Sequence, residues 1–226
     1  MLYPFIKPNE ALFLADFETT GFADDPKAAP IELAGLFLDH NLNVVDEYGS
    51  LINYMGVFER YGCWSTKEQL ECYAVHGIDC DELQGKPNTN DVSYILSKKV
   101  TRLKREYGFE RIIFASDNPY FDFTFIKKFE VEFHYNPYDV KGYIAMSGCK
   151  RPDKETRTHR AMDDVRGLYE AMLRAKKIYQ SMNDCLKKSP DYDWNLQKHW
   201  NQLEEIKPCS QDEHDPMMGE GEYRGG

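Results

Sequence analysis

Two carboxylates stand at the end of an apolar run near the start of the chain. The stretch ALFLADFETTG, residues 11–21, places Asp16 and Glu18 two positions apart. Side chains alternate along a strand, so both acids project to the face that also carries Leu12 and Leu14. Two like charges held that close raise one another's pKa unless a cation lies between them. A divalent metal ion suits this pair, although the pattern alone fits two solvated acids equally well.

A third acid, Asp122, lies within the aromatic segment SDNPYFDFTFIKKF, residues 116–129, directly after the apolar run RIIFAS. A lone charge among so many rings is unfavourable, which again indicates a cation. The alternative is that Asp122 lies on an exposed helical face. For Asp117 and Asn118 a role as helix caps explains the residue types just as well.

A fourth acid and a histidine occur in THRAMDDVRGLYEAMLRA, residues 158–175. The apolar residues of this segment recur at helical spacing, and Asp164 falls beside their stripe, whereas Asp163 falls on the polar side. Asp164 therefore faces inward and needs a compensating charge. His159 stands at the start of the helix, where a histidine by itself is more often structural than catalytic.

Together these segments resemble the three motifs of the DEDDh 3'-to-5' exonucleases, the DnaQ-like enzymes of the ribonuclease-H-like superfamily. The matching segments are DFETTG, the NxxxFD pattern from Asn118 to Asp122, and HRAMDD, in which His159 precedes Asp164 by five residues. A weaker similarity is AVHGI, residues 74–78, which in that family lies near the terminal nucleotide. The resemblance covers about residues 10–180 and implies an α/β fold, a ribonuclease-H-like mixed five-stranded sheet flanked by helices.

The resemblance also implies a catalytic set of five residues. Four carboxylates, Asp16, Glu18, Asp122 and Asp164, would hold two Mg²⁺ or Mn²⁺ ions, for which hard oxygen ligands are suited. His159 would take the proton of the attacking water.

Seven further residues are predicted to contact the substrate. They are Phe17, Thr19, Thr20, His76, Asn118, Lys150 and Arg151. The basic segment 149–160, with a local net charge of +3, would contact phosphates of a single strand, although a solvated loop is the alternative. A second basic group, along the helix predicted at residues 90–107, is interpreted as a solvated face.

The implied function is release of nucleoside monophosphates from the 3' end of single-stranded DNA, in replication or repair. One alternative is RNA trimming of the ribonuclease T kind, because no residue distinguishes the 2'-hydroxyl. Another is a catalytically silent binding module, against which the presence of all five motif residues argues.

Other classes of enzyme are not indicated by the motifs. The chain has no GxSxG turn for an acyl-enzyme mechanism and no GxxxxGK[ST] loop for a nucleoside triphosphate. The expected partners are single-stranded 3' ends, with a polymerase partner in trans or a second copy of the chain.

These residues must be positioned by strands and helices that the apolar pattern also predicts. The predicted strands cover residues 12–18, 30–39, 43–53 and 111–116, and the predicted helices cover residues 66–75, 90–107, 120–130 and 159–182. Strands followed by alternating helices and a further strand indicate a mixed sheet with helices on both faces.

Length and composition indicate the domain organisation, the class of nucleic-acid partner and the cellular location. A chain of 226 residues accommodates one exonuclease domain, residues 1–183, and an acidic, partly disordered appendage, residues 184–226. A net charge of −10 argues against coating of duplex nucleic acid. Six cysteines without a CxxC pair indicate no zinc site and no redox motif, and together with no need for disulfides they favour a reducing, intracellular environment. Because no apolar run approaches the ~20 residues that span a bilayer, we expect a soluble, cytoplasmic protein without membrane association.

Overall fold

Five strands form one mixed sheet in the computed structural model, which describes residues 6–53, 64, 66–150 and 159–188. The strands are β1 (Glu10–Thr19), β2 (Pro30–Leu38), β3 (Val44–Leu51), β4 (Arg111–Ser116) and β5 (His134–Asp139). Their order is β3-β2-β1-β4-β5, with β2 antiparallel to β1 and β3, and with β1, β4 and β5 parallel. The predicted mixed five-stranded sheet is therefore confirmed.

Six helices flank this sheet within the described residues. They are α1 (Lys67–His76), α2 (Cys80–Leu83), α3 (Thr89–Tyr107), α4 (Pro119–Ile126), α5 (Val140–Met146) and α6 (Ala161–Lys188). The four predicted helices are present as α1, α3, α4 and α6. The apolar pattern did not predict β5, α2 or α5. Strand β5 lies at the edge of the sheet and contains Pro137, so its sequence lacks the apolar alternation that a buried strand requires.

The two faces of β1 pack against different helices. Phe13, Ala15 and Phe17 belong to the core that includes the buried residues of α3 and α4. Leu12 and Leu14 belong to the core formed with α5 and α6. Because side chains alternate, the acids that follow Leu14 on the same face are directed toward the α6 side of the sheet.

The chain divides into two compact units by its internal contacts. One unit comprises Leu2–Asn183, and the other comprises Met1 with Asp184–Gly226. The predicted acidic appendage lies outside the described residues beyond Lys188. None of the described helices combines the length and the apolar character that crossing a membrane requires.

The cysteines differ from the expectation drawn from their spacing. Cys80 is disulfide-bonded, whereas Cys72, Cys149 and Cys185 are free thiols. A disulfide requires two thiols in bonding geometry and an oxidant, and spacing along the chain reveals neither. Because such bonds persist mainly in oxidising compartments, this one does not support the predicted reducing environment.

Candidate active site

The end of β1 carries the first two acids of the site. Glu18 is buried, with 8% of its surface exposed, and Asp16 is half-buried. In the antiparallel pair of β1 and β2, Glu18 lies opposite Glu32. The register then shifts between Glu18 and Thr19, and the Thr19 hydroxyl donates to the carbonyl of Gly21 at 2.8 Å. The strand thus ends in a fixed turn directly after the two carboxylates.

Asp122 is positioned by the start of α4. Pro119 occupies the first turn, and the carbonyl of Asn118 accepts the backbone N–H groups of Phe121 and Asp122 at 2.9 and 3.0 Å. The side chain of Asp122 is 3% exposed. Burial raises the pKa of this carboxyl to about 7, while the nearby Ser116 hydroxyl and Asn118 backbone act in the opposite direction. Asp122 is therefore an inward acid, as the sequence predicts, and not an exposed helical residue.

The start of α6 brings the last two motif residues to β1. The carbonyl of Arg160 accepts the backbone N–H groups of Asp163 and Asp164 at 3.0 and 3.1 Å, which begins the helix. His159 precedes this turn with a φ of 52°, in the left-handed region that is uncommon for residues other than glycine. One ligand atom each from Glu18, His159 and Asp164 lies within 4.8 Å of the others.

The electrostatics of this cluster fit a divalent cation. Burial, and then the charges of Asp164, Glu32 and Asp122, raise the pKa of Glu18 to about 8, against the opposing effect of Arg160. Such crowding of carboxylates is costly without a cation and becomes favourable with one. The donors are carboxylate oxygens and an imidazole, which bind divalent metal ions in proteins.

Two cavities adjoin the acids and share Phe17 and Phe121 as walls. The smaller, about 280 Å³, is lined by residues that include Glu18, Thr19, Phe22, Cys72 and His76. The larger, about 620 Å³, is lined by residues that include Asp16, Asn118, Asp122, Asp139 and Lys141. Asp16 and Asp122 thus face one space, while Glu18 faces the other.

His76 is held in one orientation beside the smaller cavity. Gly77, with a φ of 65°, ends α1 and allows the N–H of Ile78 to donate to His76 Nδ1 at 2.9 Å. Nε2 therefore carries the ring proton, and it has no hydrogen-bond partner among the described residues. Burial, and then the charges of Arg160 and His159, lower the pKa of His76 to about 4. The ring is neutral near pH 7 and offers one donor.

Besides His76, three of the predicted substrate residues line these cavities. Phe17 is only 4% exposed and also stacks on Phe129 at 6.0 Å, so it contributes to the core as well as to both cavities. Thr19 lines the smaller cavity and Asn118 the larger one.

Two other predicted substrate residues line neither cavity, and a third lies outside the described residues. Thr20 is 2% exposed and its hydroxyl accepts the N–H of Ala29 at 2.9 Å, so this side chain fixes the turn and lines neither cavity. Lys150 is exposed and also lines neither cavity. Arg151 lies outside the described residues.

One buried acid at the site is absent from the predicted set. Glu32 lies in the middle of the apolar run PIELAGLFL and is 8% exposed. Its carboxylate accepts both Nε and a terminal nitrogen of Arg160, each at 3.2 Å. The signal that could have revealed it is a charged residue within a continuously apolar strand. The same contact corrects the expectation for Arg160, whose guanidinium is held by Glu32 rather than presented by a basic loop.

The chain matches known proteins at the level of family and fold. A family model described as exonuclease (RNase_T) matches residues 13–172. No curated protein sequence matches significantly. E. coli Exonuclease I in complex with a dT13 oligonucleotide is 14% identical, with a TM-score of 0.51, over 78% of this chain and 43% of that one.

Two other solved structures are similar. An ExoI/SSB-Ct complex is 14% identical, with a TM-score of 0.50, over 79% of this chain and 43% of that one. A 3'-exonuclease described as recognising the 3' end of a histone mRNA stem-loop is 14% identical, with a TM-score of 0.46, over 74% of this chain and 63% of that one. The chain therefore spans less than two thirds of the length of these structures.

Proposed function

The chain belongs to the RNase_T exonuclease family, and on that basis we propose that it is a 3'-to-5' exonuclease that releases nucleoside monophosphates from single-stranded DNA. The observation that carries the proposal is the convergence of Glu18, His159 and Asp164, from opposite ends of the domain, to within 4.8 Å. A silent binding module has no need to maintain such a costly concentration of acids.

Four carboxylates are proposed to hold two Mg²⁺ or Mn²⁺ ions: Asp16, Glu18, Asp122 and Asp164. Glu18 and Asp164 belong to the three-residue cluster, and the charge of Asp122 acts on Glu18. When bound, such ions lower the pKa of a coordinated water and offset negative charge on the phosphate and on the departing oxygen.

His159 is proposed to take the proton of the attacking water at a ring nitrogen. It lies beside Glu18 and Asp164, and a base acts only within hydrogen-bond reach of the proton that it removes. The terminal nucleoside would occupy the smaller cavity, where Phe22 offers a half-exposed ring and His76 a neutral N–H donor. A volume of about 280 Å³ suits one nucleoside rather than a longer segment.

DNA is proposed as the preferred substrate, and RNA trimming is the alternative. E. coli Exonuclease I, whose fold this chain shares at a TM-score of 0.51, forms a complex with a dT13 oligonucleotide. We further propose a role in replication or repair, with a polymerase or a second copy of this chain as partner. Light scattering of the chain alone and with a polymerase core would test the partner.

The experiment is a digestion of 5'-labelled single strands of identical sequence, one DNA and one RNA, with Mg²⁺ or Mn²⁺. We expect stepwise shortening of the DNA, release of mononucleotides, and no reaction with EDTA or with Asp16→Asn. Faster digestion of the RNA would support the alternative substrate. No digestion of either strand by folded, metal-loaded protein would overturn the proposal. In a separate calorimetric titration, we expect two Mn²⁺ ions to bind per chain.

A further inference from the structure

Glu32 lies beside the proposed catalytic residues without belonging to the motif set. It is on β2, directly opposite Glu18, with 8% of its surface exposed. Resting on the proposed function, we infer that Glu32 is a positioning residue, which anchors the start of α6 and thereby holds His159 and Asp164 against Glu18.

The carboxylate of Glu32 makes three hydrogen bonds to two consecutive residues. Oε2 accepts Nε of Arg160 at 3.2 Å and the backbone N–H of Ala161 at 3.1 Å, and Oε1 accepts a terminal nitrogen of Arg160 at 3.2 Å. The paired Arg160 contacts define both the distance and the orientation of the guanidinium. Arg160 also approaches Glu82 of α2 at 4.0 Å, which adds a second, longer ion pair.

The Ala161 contact satisfies a group that the helix itself leaves unbonded. Ala161 is the first residue of α6, and the first N–H groups of a helix have no intrahelical acceptor. Ala161 is also fully buried, so water does not replace Glu32 as its acceptor. A carboxylate at this end is additionally favoured by the helix dipole.

A chain of bonds leads from Glu32 to the proposed catalytic residues. Glu32 holds the side chain of Arg160, and the backbone carbonyl of Arg160 accepts the N–H of Asp164 at 3.1 Å. His159 is joined covalently to Arg160 and has a φ of 52°, which the surrounding contacts must maintain. Releasing residues 160 and 161 therefore loosens both neighbours at once.

Glu32 is placed as an anchor rather than as a further ligand. Both of its oxygens accept N–H donors, and it is not in the cluster of Glu18, His159 and Asp164. The position of Glu32 opposite Glu18 is electrostatically unfavourable, because the Glu32 charge raises the pKa of Glu18. The Arg160 charge acts in the opposite direction and lowers it.

The test is Glu32→Gln, with Glu47→Gln as a matched control. Glu47 lies on β3 and pairs with Arg166 of the same helix at 3.7 Å, but both side chains are more than half exposed. Two properties are measured: hydrogen exchange of the Ala161 amide by NMR without metal, and the kcat and KM of nucleotide release. We expect faster Ala161 exchange and a fall in kcat of about 10- to 100-fold with KM within threefold, and neither change in Glu47→Gln.

Several outcomes would overturn the inference. In Glu32→Gln, Ala161 could exchange at the wild-type rate, or it could exchange faster while kcat stays at the wild-type value. In the third, the fall in kcat is fully explained by a smaller folded fraction of the variant. If Glu32→Gln does not fold, Arg160→Gln tests the anchor through kcat, because Arg160 is half-buried and its loss removes the paired contacts but spares the Ala161 bond. A wild-type kcat in that variant would overturn the inference. If the wild type releases no nucleotide, the proposed function fails, while the exchange measurement still decides whether Glu32 anchors the helix.

Discussion

A carboxylate oxygen of Glu18 on β1 and one of Asp164 on α6 lie within 4.8 Å of each other, although the two residues belong to opposite ends of the domain. The pKa of Glu18 is raised to about 8, and burial and the Asp164 charge are the two largest causes. Repulsion between these carboxylates therefore destabilises the metal-free protein near neutral pH. The same carboxylates are the proposed metal ligands, so a change that relieves the repulsion is expected to reduce activity.

The first prediction is that the metal-free protein loses stability as the pH rises. The folded state holds the Glu18 proton up to about pH 8, whereas the unfolded chain releases it near 4.5. Between these values the folded state binds more protons, so the free energy of unfolding falls with increasing pH. For Glu18 alone the loss is on the order of 5 kcal/mol at most.

Thermal unfolding in EDTA from pH 5 to pH 8 measures this effect. Glu18→Gln should flatten the profile, and Glu71→Gln, an exposed acid at the same cavity, should not. Adding Mn²⁺ at pH 8 should restore the melting temperature of the wild type. A wild-type profile that is already flat would contradict the prediction.

The second prediction is that Asp164→Asn stabilises the metal-free protein and abolishes its activity. Removing the Asp164 charge removes one cause of the raised pKa of Glu18, so the melting temperature at pH 8 should increase. The same change removes a proposed metal ligand, and nucleotide release should fall more than about 100-fold. Asp163→Asn is the control, because this neighbour is exposed and should alter neither property. Loss of activity together with loss of stability would argue for a purely structural role.

The third prediction separates proton transfer from metal binding. His159→Ala should lower kcat by about 10²- to 10⁴-fold, as expected for loss of a general base, and leave the affinity for Mn²⁺ within threefold. Calorimetry and single-turnover digestion give the two quantities, with His40→Ala as control. If the Mn²⁺ affinity falls in parallel with kcat, His159 is a ligand and not the base, which its position within 4.8 Å of two acids also permits.

Sequence patterns predicted the parts of the site that depend on local periodicity. Helical spacing distinguished the half-buried Asp164 from the exposed Asp163. Alternation along β1 predicted one face for Asp16 and Glu18, which line two adjoining cavities that share Phe17 as a wall. Strand β5 was missed because an edge strand with a proline carries no apolar alternation.

Contacts between distant segments were not predictable in the same way. The bonds from Glu32 to Arg160 and Ala161 join residues about 130 positions apart, so no local spacing reports them. Thr20 illustrates the converse error, since a hydroxyl beside the motif binds the backbone of Ala29 instead of facing the cavity. Local pattern gives the direction of a side chain, but its partner depends on the packed structure.

The fourth prediction concerns the smaller cavity. Phe22 lines it and remains 53% exposed, so its ring is available to stack on a base. Stacking is worth about 1 to 3 kcal/mol per base, and Phe22→Ala should raise KM for single strands by roughly 10-fold with little change in kcat. Tyr94→Ala is the control, because Tyr94 is 65% exposed but lines a different cavity. An unchanged KM would exclude stacking on Phe22.

The fifth prediction tests the basic segment before α6. Arg160 is excluded from it because Glu32 holds its guanidinium. Neutralising Lys150, Arg151 and Lys154 should weaken binding of single strands and reduce the slope of log Kd against log salt by about 2, since each phosphate contact contributes about 0.7. Binding is measured by fluorescence anisotropy in the Asp16→Asn background, where the strand is not digested.

The control for this triple variant is a second triple on α3, Lys98, Lys104 and Arg105. These cations lie over Tyr94 or beside Glu132 and Glu106, as expected of a solvated helix face. Both triples change the net charge equally, so a general field effect would reduce both slopes alike. If the basic segment contacts the phosphates, only the first triple variant should reduce the slope. An unchanged slope in that variant would show that the segment does not contact the substrate.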